Sequence, residues 1–241
     1  MHILIKTNFR ALATERKHNL RGLILLMLFT FEMIVFIENG EQGYQYLYLR
    51  RKLNWDIIDY TTFTIVVGVL GMASKYTVIP LLSEKFLLRD SIIVIIDITG
   101  CIVQTILFSI ATTSWMVYLG ALMTILDSTC QLIRCIISKN VKPDEVGKIF
   151  SFVSAFQAFI PLVASPVFGI IYQSTVEMLP QTYLIVLACL LFIAWSVMIY
   201  IDRGLLKANL DEAIEFDDMQ KNGEGKDVGN NLLCEEEEEK K

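Results

Sequence analysis

Several polar side chains of this 241-residue chain lie inside long apolar segments, where they are costly. Glu32, Asp97 and Asp127 are the acidic ones, and an ionisable residue at the centre of a membrane span costs about 2.5 to 3.5 kcal/mol on insertion scales. Such carboxylates face a protein interior or an aqueous cavity, where desolvation favours the protonated form. These three residues are therefore the candidates for proton coupling.

Helical spacing groups further polar residues with these carboxylates. Asp127, Gln131 and Arg134 follow at i, i+4 and i+7 and form one predicted stripe, while Asp97 and Gln104 share a second stripe. The residues predicted to bind a substrate are Arg134, Gln131, Gln104 and Gln157. Two alternatives stay open, because Arg134 is close enough to a segment end to reach the lipid headgroups and the carboxylates can serve in interhelical hydrogen bonds.

The elements that must position these residues are apolar segments of membrane-spanning length. A helix needs roughly 17 to 25 apolar residues to cross the hydrocarbon layer, and continuous runs of this length exclude the alternating strands of a barrel. The sequence therefore predicts an all-α membrane protein with six transmembrane helices. These segments are Leu20 to Ile37, Ile57 to Leu82, Ser91 to Ala111, Trp115 to Ile137, Ile149 to Tyr172 and Gln181 to Ile201.

The charge pattern predicts the orientation and the domain limits. Seventeen Lys and Arg residues lie on the side that holds both termini and three lie on the other, which predicts cytoplasmic termini. We expect a cytoplasmic leader over residues 1–19, a six-helix bundle over residues 20–201 and a disordered acidic tail over residues 202–241. The segment 211–241 alone holds twelve acidic and four basic residues, so the acidic balance describes the tail and predicts no nucleic-acid partner.

Several function classes have no support in the sequence. The two histidines, His2 and His18, lie in the leader, and no nucleophile elbow, zinc-protease motif or phosphate-binding loop is present, so we expect no enzyme, metal site or cofactor. The five widely spaced cysteines form no disulfide framework. The polar stripes are compatible with a single pathway through the membrane. The alternative is a membrane scaffold or receptor without transport activity, acting through its acidic tail.

Two segments resemble a known family. SKNVKPDEVGKIFS (Ser138 to Ser151) and PLVASPVFGIIY (Pro161 to Tyr172) resemble the proton-coupled folate transporter family of the major facilitator superfamily, and Asn39 to Trp55 resembles its insect-type members. The resemblance covers roughly Leu20 to Ile201. Family members have twelve spans in two six-helix bundles, so the resemblance implies the C-terminal half of a major facilitator fold, present as a fragment or a half-size relative.

The resemblance also implies a function. Family members are secondary active transporters that move organic anions such as folates or muropeptides, and their tenth-span arginine, which serves proton coupling and substrate handling, matches Arg134. A histidine that the folate-transporting member has in its seventh span has no counterpart here, where Ile37 and Glu38 occupy the corresponding region. The expected partners are an organic anion, protons, the lipid bilayer and a second six-helix bundle, and the expected location is the plasma membrane or the lysosomal membrane.

Overall fold

A computed structural model describes residues 20–80, 89–124, 126, 128–141, 143–177, 179, 181–208 and 210. The predicted leader, the segment 211–241 of the acidic tail and the candidate Asp127 lie outside the described residues. The described part is helical, and no strand occurs in it. Its helices are α1 (Leu20–Leu53), α2 (Ile57–Pro80), α3 (Asp90–Ile110), α4 (Ser114–Met123), α5 (Thr129–Lys139), α6 (Pro143–Thr175) and α7 (Thr182–Ala208).

Five of these helices are long and apolar enough to cross a membrane, namely α1, α2, α3, α6 and α7. Their outward faces carry large apolar side chains, and Phe29, Ile58 and Leu162 are more than half exposed, as expected of side chains that contact lipid. The first predicted span ended at Ile37, whereas α1 continues as one helix to Leu53. The last helix reaches Ala208, beyond the predicted end at Ile201.

The prediction of one continuous helix from Trp115 to Ile137 is wrong. The chain leaves helical geometry after Met123, at the end of α4, and becomes helical again at Thr129, at the start of α5. Thr124 closes α4, because its backbone N–H and its hydroxyl both donate to the carbonyl oxygen of Ala121. The fourth apolar segment is therefore a broken helix.

Helix α3 holds α5 at both ends. Asp97 of α3 accepts hydrogen bonds from the first residues of α5, and Asp90 of α3 pairs with Lys139 at a distance of 2.5 Å. Hydrogen bonding to Asp90 raises the pKa of Lys139 above its usual value, so the lysine stays cationic at physiological pH. The two helices are thus joined by charged groups as well as by apolar packing.

The extended end of α1 covers the C-terminal end of α3. Tyr48 donates from its hydroxyl to the Phe108 carbonyl at 2.9 Å, and Lys52 donates to the Ser109 carbonyl. The last carbonyls of a helix have no partner within the helix, so these contacts satisfy groups that would otherwise need water. They connect the part of α1 beyond the predicted span to the end of α3.

The break between α4 and α5 also depends on a close approach by α3. A Cβ atom on Gly100 would collide with the carbonyl oxygen of Met123, which is backbone and cannot move aside cheaply. We predict that Gly100→Ala lowers the free energy of unfolding by about 1 to 3 kcal/mol through overpacking. Thermal and denaturant unfolding of the purified chain in detergent measures this effect.

Gly68 is the matched control, since it also lies within a helix but has open space around it. Gly68→Ala should be neutral or stabilising by up to about 1 kcal/mol, because alanine is the better helix former. Equal effects of the two substitutions would contradict the role given to Gly100.

Candidate functional site

A cavity of about 710 Å³ lies among α1, α2, α3, α4 and α5, beside the break between α4 and α5. A cavity of this size accommodates a small organic molecule. Its apolar wall includes Ile34, Val66, Met72 and Leu191. Its polar and charged wall includes Glu38, Glu41, Gln42, Gln45, Lys75, Asp97, Gln104 and Gln131.

Asp97 lies in the cavity wall and binds the start of α5. Its Oδ2 atom accepts hydrogen bonds from the backbone N–H of Ser128 at 2.9 Å, the backbone N–H of Thr129 at 2.8 Å and the Thr129 hydroxyl at 2.6 Å. The first N–H groups of a helix have no acceptor within it, and a carboxylate at this position also interacts favourably with the positive end of the helix dipole. Asp97 is therefore a cap supplied to α5 by another helix.

A chain of hydrogen bonds ends at Glu41 on the cavity wall. The Tyr60 hydroxyl donates to Oε1 of Gln45 at 3.2 Å, and Nε2 of Gln45 donates to Oε1 of Glu41 at 3.3 Å. This direction of donation fixes the orientation of the Gln45 amide and leaves a carboxylate at the end of the chain. A carboxylate has about four acceptor positions, so Glu41 retains capacity for further donors.

A thiol lies next to Glu38, another carboxylate of α1. Sγ of Cys130 is 3.6 Å from Oε1 of Glu38, and both residues line the cavity. Cys101 of α3 lines it as well. In the described part of the chain, no three His, Cys, Asp or Glu side chains are grouped in the way that metal ligands are.

The predicted site residues fall into two groups. Asp97, Gln104 and Gln131 line the cavity together. Asp127 lies outside the described residues, and because α5 begins at Thr129 the predicted stripe does not start on one continuous helix. Arg134, which lies on α5, does not line the cavity.

Arg134, Gln157 and Glu32 form a second polar cluster. Arg134 donates from Nη2 to Oε1 of Gln157 at 2.9 Å, and its guanidinium carbon lies 5.0 Å from the centre of the Phe31 ring, within the range of a cation–π contact. Both carboxylate oxygens of Glu32 are buried and have no hydrogen-bond partner. The substrate and proton roles predicted for these residues remain predictions.

Sequence reasoning missed Glu41 as a site residue. Its position carried a signal, because Glu38, Glu41 and Gln45 lie on one face of α1 at i, i+3 and i+7 and share that face with Gln42. The partner Tyr60 could not be found in this way, because it lies on α2.

No protein-family model matches the chain. The chain is similar to a solute transporter. It is 22% identical over 187 residues to the probable peptidoglycan muropeptide transporter SLC46 of Drosophila melanogaster, an alignment that covers 75% of this chain and 36% of that protein. The chain thus spans little more than a third of the length of this relative. With its long apolar helices, this similarity supports a multi-pass integral membrane protein.

We predict that Asp97 stabilises the start of α5. Asp97→Asn keeps one acceptor oxygen but loses the negative charge, so its three hydrogen bonds are no longer charge-assisted and α5 should become less stable by about 1 to 3 kcal/mol. Hydrogen exchange of the Ser128 and Thr129 amides should accelerate, and Asp97→Leu should accelerate it further.

Asp202→Asn provides the control, because Asp202 also binds polar groups of another segment, Arg89 and Ser91, but lies away from the break. It should leave exchange at residues 128 and 129 unchanged. Unaltered exchange in Asp97→Leu would show that the cap does not stabilise the start of α5.

Proposed function

We propose that the chain is a six-helix bundle of a secondary transporter that moves a small organic solute across a membrane. In this proposal α4 and α5 together form one crossing, the fourth in chain order, so that the chain has six crossings. The bundle corresponds to the C-terminal half of a major facilitator fold. The observation that carries the proposal is the polar cavity beside a broken helix. Transporters commonly place their substrate sites at discontinuous helices near the bilayer midplane.

A second six-helix bundle completes the carrier in this proposal. A polar cavity facing lipid is expensive, because each uncompensated charge costs kilocalories per mole in the hydrocarbon region. A second bundle packed over the cavity would enclose the solute path. The missing bundle is either an N-terminal half or a second copy of this chain.

The substrate class follows from similarity alone. The relative from Drosophila is named as a transporter of muropeptides, and the family resemblance implies organic anions such as folates or muropeptides. We propose a substrate of this kind, a plasma or lysosomal membrane and cytoplasmic termini. The alternative, a scaffold or receptor without transport activity, predicts no saturable uptake.

We also propose that transport is coupled to protons through Glu32, Asp97 or Asp127. Glu32 is favoured by geometry, because its buried oxygens have no hydrogen-bond partner and it interacts electrostatically with Arg134. Asp97 already accepts three hydrogen bonds at the start of α5. The pH dependence of uptake in the three carboxylate-to-amide variants tests this assignment, and retention of the wild-type profile in all three would reject it.

The first prediction of this proposal concerns assembly. The chain fused behind the first six spans of the Drosophila relative should take up a radiolabelled muropeptide saturably, because the cavity is then enclosed between two bundles. The chain alone, reconstituted at one copy per vesicle, should show no saturable uptake. Robust uptake by single copies would exclude the need for a second bundle, and no uptake in any format would exclude a carrier.

The second prediction concerns Arg134 in the fused carrier. Lysine keeps the charge but lacks the planar group that binds a carboxylate through two hydrogen bonds and stacks on Phe31. If Arg134 binds an anionic substrate during transport, Arg134→Lys should raise the half-saturation concentration about 5- to 150-fold, a change of roughly 1 to 3 kcal/mol.

Arg203→Lys is the matched control, since Arg203 is an exposed arginine outside both polar groups. It should leave the half-saturation concentration unchanged. An unchanged value for Arg134→Lys at equal expression would assign Arg134 to helix packing.

A further inference from the structure

The charged groups that line the cavity are mostly acidic. Glu38, Glu41 and Asp97 contribute three carboxylates, and Lys75 contributes an ammonium group. Arg134, the residue expected to attract an anion, lies in the second polar cluster with Gln157. The charges at the cavity wall therefore favour a solute that brings a positive group.

Glu38 and Glu41 are placed as a pair. They stand at i and i+3 on α1, a spacing that puts helical side chains about 5 to 6 Å apart, and they interact electrostatically. Two like charges on one cavity wall repel each other, and the repulsion grows as burial lowers the local dielectric constant. A bound cation removes this repulsion and gains from both carboxylates.

The hydrogen bonds around Glu38 and Glu41 also favour a ligand with several donors. The chain from Tyr60 through Gln45 ends at Glu41 as an acceptor, and Cys130 donates to Glu38. Acceptors at the end of such chains match a group rich in donors. A protonated amine has up to three N–H donors and no acceptor.

Aromatic side chains complete the surroundings. Trp115 and Tyr118 of α4 line the same cavity. Indole and phenol rings attract ammonium groups through their negative faces, and a carboxylate gains nothing comparable from them. The cavity thus combines anionic acceptors with aromatic faces.

We propose that the cavity binds its solute through a protonated amino group held between Glu38 and Glu41. This inference rests on the proposed transport function and specifies the solute as an amine-bearing organic molecule. An amine-bearing solute that also carries an acidic group remains compatible with an organic anion, because Lys75 lines the same cavity.

Cys130 provides a direct measurement, because it lines the cavity next to Glu38. The experiment uses the full chain in detergent, with the other four cysteines changed to serine. It compares the rates at which two reagents modify Cys130, the cationic trimethylammonioethyl and the anionic sulfonatoethyl methanethiosulfonate. The rate ratio, divided by the ratio for a free small thiol, should favour the cation about tenfold or more, because the Glu38 carboxylate lies 3.6 Å from the thiol and Glu41 lines the same cavity. Taking the ratio cancels any change in the reactivity of the thiol itself.

The double variant Glu38→Gln with Glu41→Gln should bring this normalised ratio close to one. Glu177→Gln, which removes an exposed carboxylate outside the cavity, should leave it unchanged. A normalised ratio at or below one in the parent chain, or a cationic preference that survives the double variant, would overturn the proposal.

A second measurement uses unmodified chain and a matched pair of peptides, tri-alanine and N-acetyl-tri-alanine, which differ in the amino group. Calorimetric titration should give at least tenfold tighter binding of tri-alanine, and this preference should disappear in the double variant. Equal affinities, or no binding of either peptide, would overturn the proposal even if Cys130 proves unreactive. Neither measurement requires uptake, so either can fail while the transport function stands.

Discussion

The hydrogen bonds from the start of α5 to Asp97 are the interaction on which the site depends. A helix that stops and restarts inside a membrane leaves backbone N–H groups without water to bind, and each such group is costly. Asp97 satisfies the N–H groups of Ser128 and Thr129 with one oxygen atom. Without this acceptor, the N–H groups of Ser128 and Thr129 would lose these hydrogen bonds at the break.

The energetics explain why an aspartate is tolerated there. An acidic residue in the middle of a span costs about 2.5 to 3.5 kcal/mol. A hydrogen bond to a charged group contributes about 1.5 to 3 kcal/mol, and Asp97 accepts three. The sum exceeds the cost of insertion, so Asp97 stabilises the break as long as it remains ionised.

The long helices were predictable from the sequence because hydropathy is a local property. The runs that became α1, α2, α3, α6 and α7 each contain enough apolar residues to specify a span. The break was not predictable in this way, because the acceptor that permits it lies in α3, 31 positions before Ser128. Asp97 and Gln104, which helical spacing assigned to one stripe, both line the cavity, but the separation of Arg134 from Gln131 depends on how α5 packs between its neighbours.

The cavity and the second polar cluster are connected mechanically, because residues of α1 and α5 belong to both. On α5, Cys130 contacts Glu38 at the cavity, while Arg134 binds Gln157 of α6 in the second cluster. Helix α5 is itself fixed to α3 by Asp97 at its start and by Asp90 at Lys139 near its end. If the chain bends at the break during a transport cycle, α3 and α5 therefore move as one unit against α4. Such a motion changes the position of Cys130 relative to Glu38 and of Arg134 relative to Gln157 at the same time, so an event in one polar group alters the contacts in the other.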